Sequence, residues 1–179
     1  LLTKHKGAFG LDYPVSIRQL QLPDKTDKFK AAYRVYSMAP AFQLPEILQT
    51  PAGDPSWAPE IWRYYLRTHP DRRYKEKAEE LTAGADLPVA KAAKLIEWLN
   101  RNAIYTLTPN HEEKDGEDPV APFLFGDRRG YCVHFAHAIV YMLRSLGIPA
   151  RIGTGYLTDL SQSKDGHILL RMSDRHAWA

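Results

Sequence analysis

The run from Cys132 to Leu146 constrains this chain more than any other. Ala136, Ile139, Val140, Leu143 and Leu146 recur at helical spacing, so one long face of a helix has to be covered by other elements. Gly147 supplies a C-terminal stop, and Pro149 follows just beyond it. The lead-in Gly130-Tyr131 places Cys132 at the first turn, and Cys132 is the single cysteine of the 179 residues. A thiol is nucleophilic as its thiolate, a form favoured by a helix N-terminus and by a nearby imidazolium. Far downstream, His176 sits in Asp174-Arg175-His176-Ala177-Trp178, which opens as a strand. A cysteine opening a helix and a distant strand histidine have the pattern of a Cys-His pair joined by the fold. Taken singly, each has a plainer explanation: a small buried thiol, and a packed core imidazole.

The rest of the chain supplies what would cover that helix. Val15 and Ile17, then Phe29, Ala31, Tyr33 and Val35, alternate with polar residues and predict two strands, with turn chemistry from Pro23 to Asp27. Five prolines between Pro40 and Pro59 predict a stiff connector, placing a boundary after residue 56. Helices are expected at Ile61–Leu66 behind Pro59, at Tyr74–Leu81 behind Asp71, and from Pro88. The last carries Val89, Ala92, Ala93, Ile96 and Leu99 on one side, widened by Leu95 and Trp98, and should be well buried. Ile104–Leu107, Ala150–Tyr156 and His167–Met172 look extended. Helices first, then a helix packed on an antiparallel sheet, is an α+β layout. The expected division is a β-rich extension with linker over residues 1–56 and the main domain over 57–179.

Several functions are argued against. A net charge of +3 is too small to indicate nucleic acid, and the cluster Arg63, Arg67, Arg72, Arg73, Lys75 and Lys77 reads as a solvated helix face. The acidic stretch Glu112, Glu113, Asp115, Glu117 and Asp118 reads as a hydrated loop. Cys132, His134 and His137 invite a zinc reading, but that spacing spreads the side chains over different faces of a helix, so no metal is expected. Nor is a cofactor: phosphate-loop, nucleophile-elbow and Cys-x-x-Cys motifs are all missing. No apolar run approaches the ~20 residues that span a membrane. A start without methionine and an end inside a strand read as a piece of something longer.

Together, Gly130-x-Cys132-x-x-Phe135-Ala136, Leu143-Arg144-Ser145-Leu146-Gly147-Ile148-Pro149-Ala150-Arg151, Gly155-Tyr156 and His176-Ala177-Trp178 resemble the transglutaminase-like superfamily over residues 60–179. Tyr105-Thr106-Leu107 and Phe123-Leu124-Phe125 resemble its bacterial, membrane-anchored branch, whose domain faces away from the cytoplasm. The resemblance implies a papain-like α+β core and a Cys-His-Asp triad, with Cys132 as nucleophile and His176 as base. The family's aspartate lies on the strand after the histidine, past the end of this sequence; Asp174 precedes His176 and does not match it. Tyr105 matches an aromatic near the oxyanion site, with simple packing as its alternative. The implied reaction is acyl transfer from protein or peptide carboxamides through a thioester, to an amine or to water. A protease or amidase of the same fold, or a non-catalytic protein-binding module, are the alternatives.

Overall fold

A computed structural model describes residues 2–3, 13–21, 31–38, 44–111, 118–157, 159, 161 and 170–179. The turn expected at residues 23–27, most of the acidic stretch and the segment 167–169 lie outside the described residues. The chain divides into two compact units, Leu1–Gln43 and Leu44–Ala179. This division falls upstream of the expected boundary after residue 56, with residues 44–59 of the proline-rich stretch in the second unit. The Trp57 ring meets Trp62 and Tyr65, both at 5.4 Å between centroids. Gly53 lies so near Trp62 that a Cβ there would sit 2.4 Å from the indole.

The first unit is a three-stranded antiparallel sheet. Its strands are β1 (Leu2–Thr3), β2 (Tyr13–Leu20) and β3 (Ala31–Met38), in the order β1-β3-β2. Ile17 pairs with Val35, and the register shifts between Pro14 and Ser16, next to a residue that lacks a backbone donor.

The second unit opens with helices α1 (Leu44–Leu48), α2 (Pro59–Tyr65), α3 (Arg73–Leu81) and α4 (Pro88–Asn102). Proline begins α2 and α4, where its missing N–H costs nothing. Asp71 Oδ1 accepts the Arg73 N–H at 3.0 Å at the start of α3. Two short parallel strands follow, β4 (Ile104–Tyr105) and β5 (Arg129–Gly130). Between them lie α5 (Val120–Pro122) and a π-type turn, Phe123–Asp127. Helix α6 (Cys132–Ser145) is the centre of the unit, and β6 (Gly153–Tyr156) pairs antiparallel with β7 (Arg175–Trp178). The segment read as a strand over 167–172 corrects at its end to a 3-10 turn, Met172–Asp174. Asp174 Oδ2 accepts the Arg171 N–H at 2.7 Å and curls the backbone there.

The core joins Tyr74 and Ala78 of α3, Leu95 and Leu99 of α4, Phe123 and Leu124, and Ala138, Ile139, Met142 and Leu143 of α6. Full burial of each larger side chain is worth about 1.5–3 kcal/mol. The expectation that α4 is well buried holds for Leu95 and Leu99, but Ile96 is 48% exposed and borders a cleft. Gly147, at φ 75°, ends α6 by reversing the chain, and Ile148 N–H returns to the Leu143 carbonyl at 3.0 Å. Arg144 Nε then holds the Ala150 carbonyl at 2.8 Å, steering the chain into β6. Among the described residues, no helix is long and apolar enough to cross a membrane.

Candidate functional site

Cys132 is the first residue of α6, behind Tyr131, whose extended backbone opens the helix. Backbone N–H groups of a first turn have no intrahelical acceptor, so the thiol sits at the electropositive end of the central core helix. His176 is on β7, opposite Gly155 of β6. Both residues line one open cleft of about 440 Å³, together with Tyr105, Phe135, Ile96 and Trp178. The fold thus brings together the cysteine and histidine that the sequence separates.

Tyr105 joins them through a ladder of two residue pairs, β4 with β5. Ile104 N–H donates to the Arg128 carbonyl at 2.8 Å, and Thr106 N–H to the Gly130 carbonyl at 2.7 Å. Those bonds hold β4 against the segment that leads into Cys132. The Tyr105 ring lies 6.0 Å from that of Phe135, and its hydroxyl is within reach of the Cys132 N–H and thiol. Partial burial raises the Tyr105 pKa, and the adjacent Cys132 sulfur adds to the rise, against the opposing effect of the Cys132 N–H. The phenol is therefore a proton donor throughout the neutral range.

Two glycines are there for space. A Cβ on Gly130 would lie 2.8 Å from the Phe123 ring and 3.0 Å from His134. A Cβ on Gly153 would lie 2.5 Å from the Trp178 indole, which crosses β6 where its neighbour strand carries His176. Gly155 and Tyr156 of β6 pair with His176 and Arg175 of β7. Asp174 is engaged with Arg171 and Ser173.

The three residues of the zinc alternative diverge. Cys132 lines the cleft, His134 is buried with Nδ1 accepting the Tyr131 N–H at 3.3 Å, and His137 Nδ1 lies 2.8 Å from the Val133 carbonyl. His134 is 3% exposed. Among the described residues no group of three or more His, Cys, Asp or Glu is placed to hold a metal ion. In the basic cluster Arg63, Arg73, Lys75 and Lys77 each meet a carboxylate, on Glu60, Asp71, Glu79 and Glu80 respectively.

A polar network that the sequence did not reveal lies under α3. Buried Tyr74 donates its hydroxyl to Asp118 Oδ2, while Asp118 Oδ1 accepts the Val120 N–H at 3.0 Å. His69 Nδ1 accepts the Asp71 N–H at 3.2 Å, and its Nε2 lies 3.6 Å from Asp118. Burial, reinforced by the Asp118 bond, raises the Tyr74 pKa far above the usual phenol range. The pairing of residues 44 apart carries no local sequence signal.

A cysteine at a helix start and a strand histidine on one cleft, within this order of helices and strands, define a papain-like α+β scaffold. The chain belongs to the transglutaminase-like superfamily, whose family model matches residues 75–179. A protein-glutamine gamma-glutamyltransferase of Pseudomonas aeruginosa is 35% identical over 136 residues, covering 75% of this chain and 20% of that protein. The chain therefore spans about a fifth of the length of that relative. The crystal structure of the periplasmic domain of TgpA from Pseudomonas aeruginosa is similar, with a TM-score of 0.56 and 32% identity over 69% of this chain and 43% of that one. A candidate cysteine protease from Cytophaga hutchinsonii shares the fold, with a TM-score of 0.52 at 18% identity, over 99% of this chain and 63% of that one.

Proposed function

We propose that this chain is a thiol acyltransferase acting on glutamine carboxamides of proteins or peptides, with Cys132 as nucleophile and His176 as acid and base. The observation that carries this reading is the shared cleft of Cys132, at the N-terminus of α6, and His176 on β7, with the Tyr105 hydroxyl at the cysteine. The Cys132 thiolate attacks the carboxamide carbon, and the carbonyl π electrons move onto oxygen. The Cys132 N–H and the Tyr105 phenol donate to that oxyanion. As the tetrahedral intermediate collapses, the imidazolium of His176 gives its proton to the departing ammonia, leaving a thioester. A primary amine then attacks the thioester carbon while His176 takes the amine proton; the C–S bond breaks and the thiolate returns. Water in place of the amine gives a carboxylate. Apart from Cys132, His176 and the Tyr105 phenol, the cleft is lined by Asn100 and apolar side chains, a setting suited to a neutral carboxamide. The name of the Pseudomonas aeruginosa relative supports glutamine as the acyl donor.

The likeness to a periplasmic domain supports an extracytoplasmic location for the chain, and a membrane-anchored parent is part of the same proposal. The test of activity is incorporation of a labelled primary amine into a glutamine-rich protein, with ammonia release and peptide cleavage measured in parallel. Incorporation and ammonia release should vanish in Cys132→Ala and fall roughly 10²- to 10⁴-fold in His176→Ala. Wild-type turnover in Cys132→Ala would overturn the assignment; peptide cleavage without ammonia would make the chain a protease instead. Labelling of Cys132 in intact cells by a membrane-impermeant thiol reagent tests the location, and protection until lysis would contradict it.

A further inference from the structure

The Gly130–Tyr131 peptide, one peptide ahead of the plane that carries the Cys132 N–H, is held at both ends. Its carbonyl, that of Gly130, accepts the Thr106 N–H at 2.7 Å, and its N–H, that of Tyr131, donates to His134 Nδ1 at 3.3 Å. His134 is two residues beyond the nucleophile on α6, and its ring is packed on every side. Tyr131 stands perpendicular to it at 4.4 Å, Phe123 lies at 5.6 Å and His111 meets it edge-on at 5.3 Å. The ring also lies against the Cα of Gly130, with no room for a side chain there. Behind it, both ring nitrogens of His111 are buried without a hydrogen-bond partner among the described residues, and Asp127 Oδ1 lies 3.4 Å from Nδ1.

We propose that His134 is a positioning residue for the Cys132 site: a neutral imidazole whose Nδ1 fixes the Gly130–Tyr131 peptide against Thr106. This inference rests on the reading of Cys132 as the nucleophile. The clamped peptide sets where the next N–H, that of Cys132, points, and Thr106 is the immediate neighbour of Tyr105. One clamp therefore holds both donors of the oxyanion position in register. A ring that accepts at Nδ1 carries its proton on Nε2, so the clamp works with the neutral form. A misplacement of about 1 Å at such a site costs up to roughly 10²-fold in rate.

Asparagine puts an acceptor where His134 Nδ1 is, glutamine puts one nearer the Nε2 position, and leucine has none. The test compares H134N, H134Q and H134L in the 179-residue chain. It measures kcat and KM for amine incorporation, and the rate of Cys132 alkylation by iodoacetamide, read on the Cys132 peptide by mass spectrometry. H134N should keep kcat and the alkylation rate within about threefold of wild type. H134Q and H134L should lose roughly 10- to 100-fold in kcat with KM within about twofold, and should alkylate at a clearly altered rate. If leucine prevents folding, the contrast of asparagine with glutamine decides. Equal losses in H134N and H134Q, or none in any variant, would overturn the proposal. Alkylation of Cys132 requires no turnover, so it reads the clamp even if the chain transfers no acyl group, a result that would sink the functional reading alone.

Discussion

Tyr105 shows how the chemistry depends on placement. The residue is 54% exposed, yet its hydroxyl is within reach of Cys132, and partial burial raises a phenol pKa that already lies above the neutral range. Tyr105→Phe preserves the contact with Phe135 and removes only the donor. Loss of a fully enclosed oxyanion donor costs about 10²- to 10³-fold, so a half-exposed one backed by the Cys132 N–H should cost roughly 10- to 100-fold in kcat. Steady-state kinetics on amine incorporation check this, and an unchanged kcat would reduce Tyr105 to a packing residue. Gly130 makes the second single-residue case. Gly130→Ala drives a methyl into Phe123 and His134 and should destabilise by about 1–3 kcal/mol, seen as a lowered urea midpoint. Cys132 and His176 were readable in the sequence because each combines a reactive side chain with a recognisable local pattern. The clamp at His134 was not, because its hydrogen bond is visible only when Tyr131 turns back over the helix start.

Helices α2, α3, α4 and α6 and strands β2, β3, β6 and β7 follow from hydrophobic period, proline starts and a glycine stop. Where the reading failed, the competing cause is local or tertiary. Ile96 belongs to the apolar arc of α4 but faces the cleft, because that arc is broader than the core it covers. The ladder of β4 with β5 pairs only two residues on each strand, too few to show any alternation, yet it brings Tyr105 to Cys132. Helix α3 carries its own testable network. The folded state raises the Tyr74 pKa, so it holds the phenol's proton more tightly than the unfolded chain does. The resulting stability is fully present below the ordinary phenol pKa near ~10 and is lost as pH rises above it. Tyr74→Phe should therefore lower stability by about 1–3 kcal/mol at neutral pH and flatten the decline above about pH 10. Urea titrations of both proteins at the two pH values check it; parallel declines would remove Tyr74 as the cause. On the sheet side, Gly153→Ala should cost about 1–3 kcal/mol by displacing the Trp178 indole.

In the second unit, the packing of α3 and α4 on α6 and the pairing of β6 with β7 serve one end: a cysteine and a histidine distant in sequence share a cleft. The α+β architecture could be read in advance because the order of periodic segments constrains it. The unit boundary at 43/44 could not, since proline content marks stiffness and says nothing of what Trp57 packs against. The most direct test of the site is capture of the covalent intermediate. The 179-residue chain is mixed with an aryl ester of a blocked glutamic acid, acylating through its side-chain carbonyl, and quenched in acid within milliseconds. The protein is then digested and the acylated peptide identified by mass spectrometry. The acyl group should reside on the Cys132 peptide and disappear when a primary amine is added before the quench. An acyl group found on another residue, or no adduct while the ester is turned over, would contradict the assignment of Cys132.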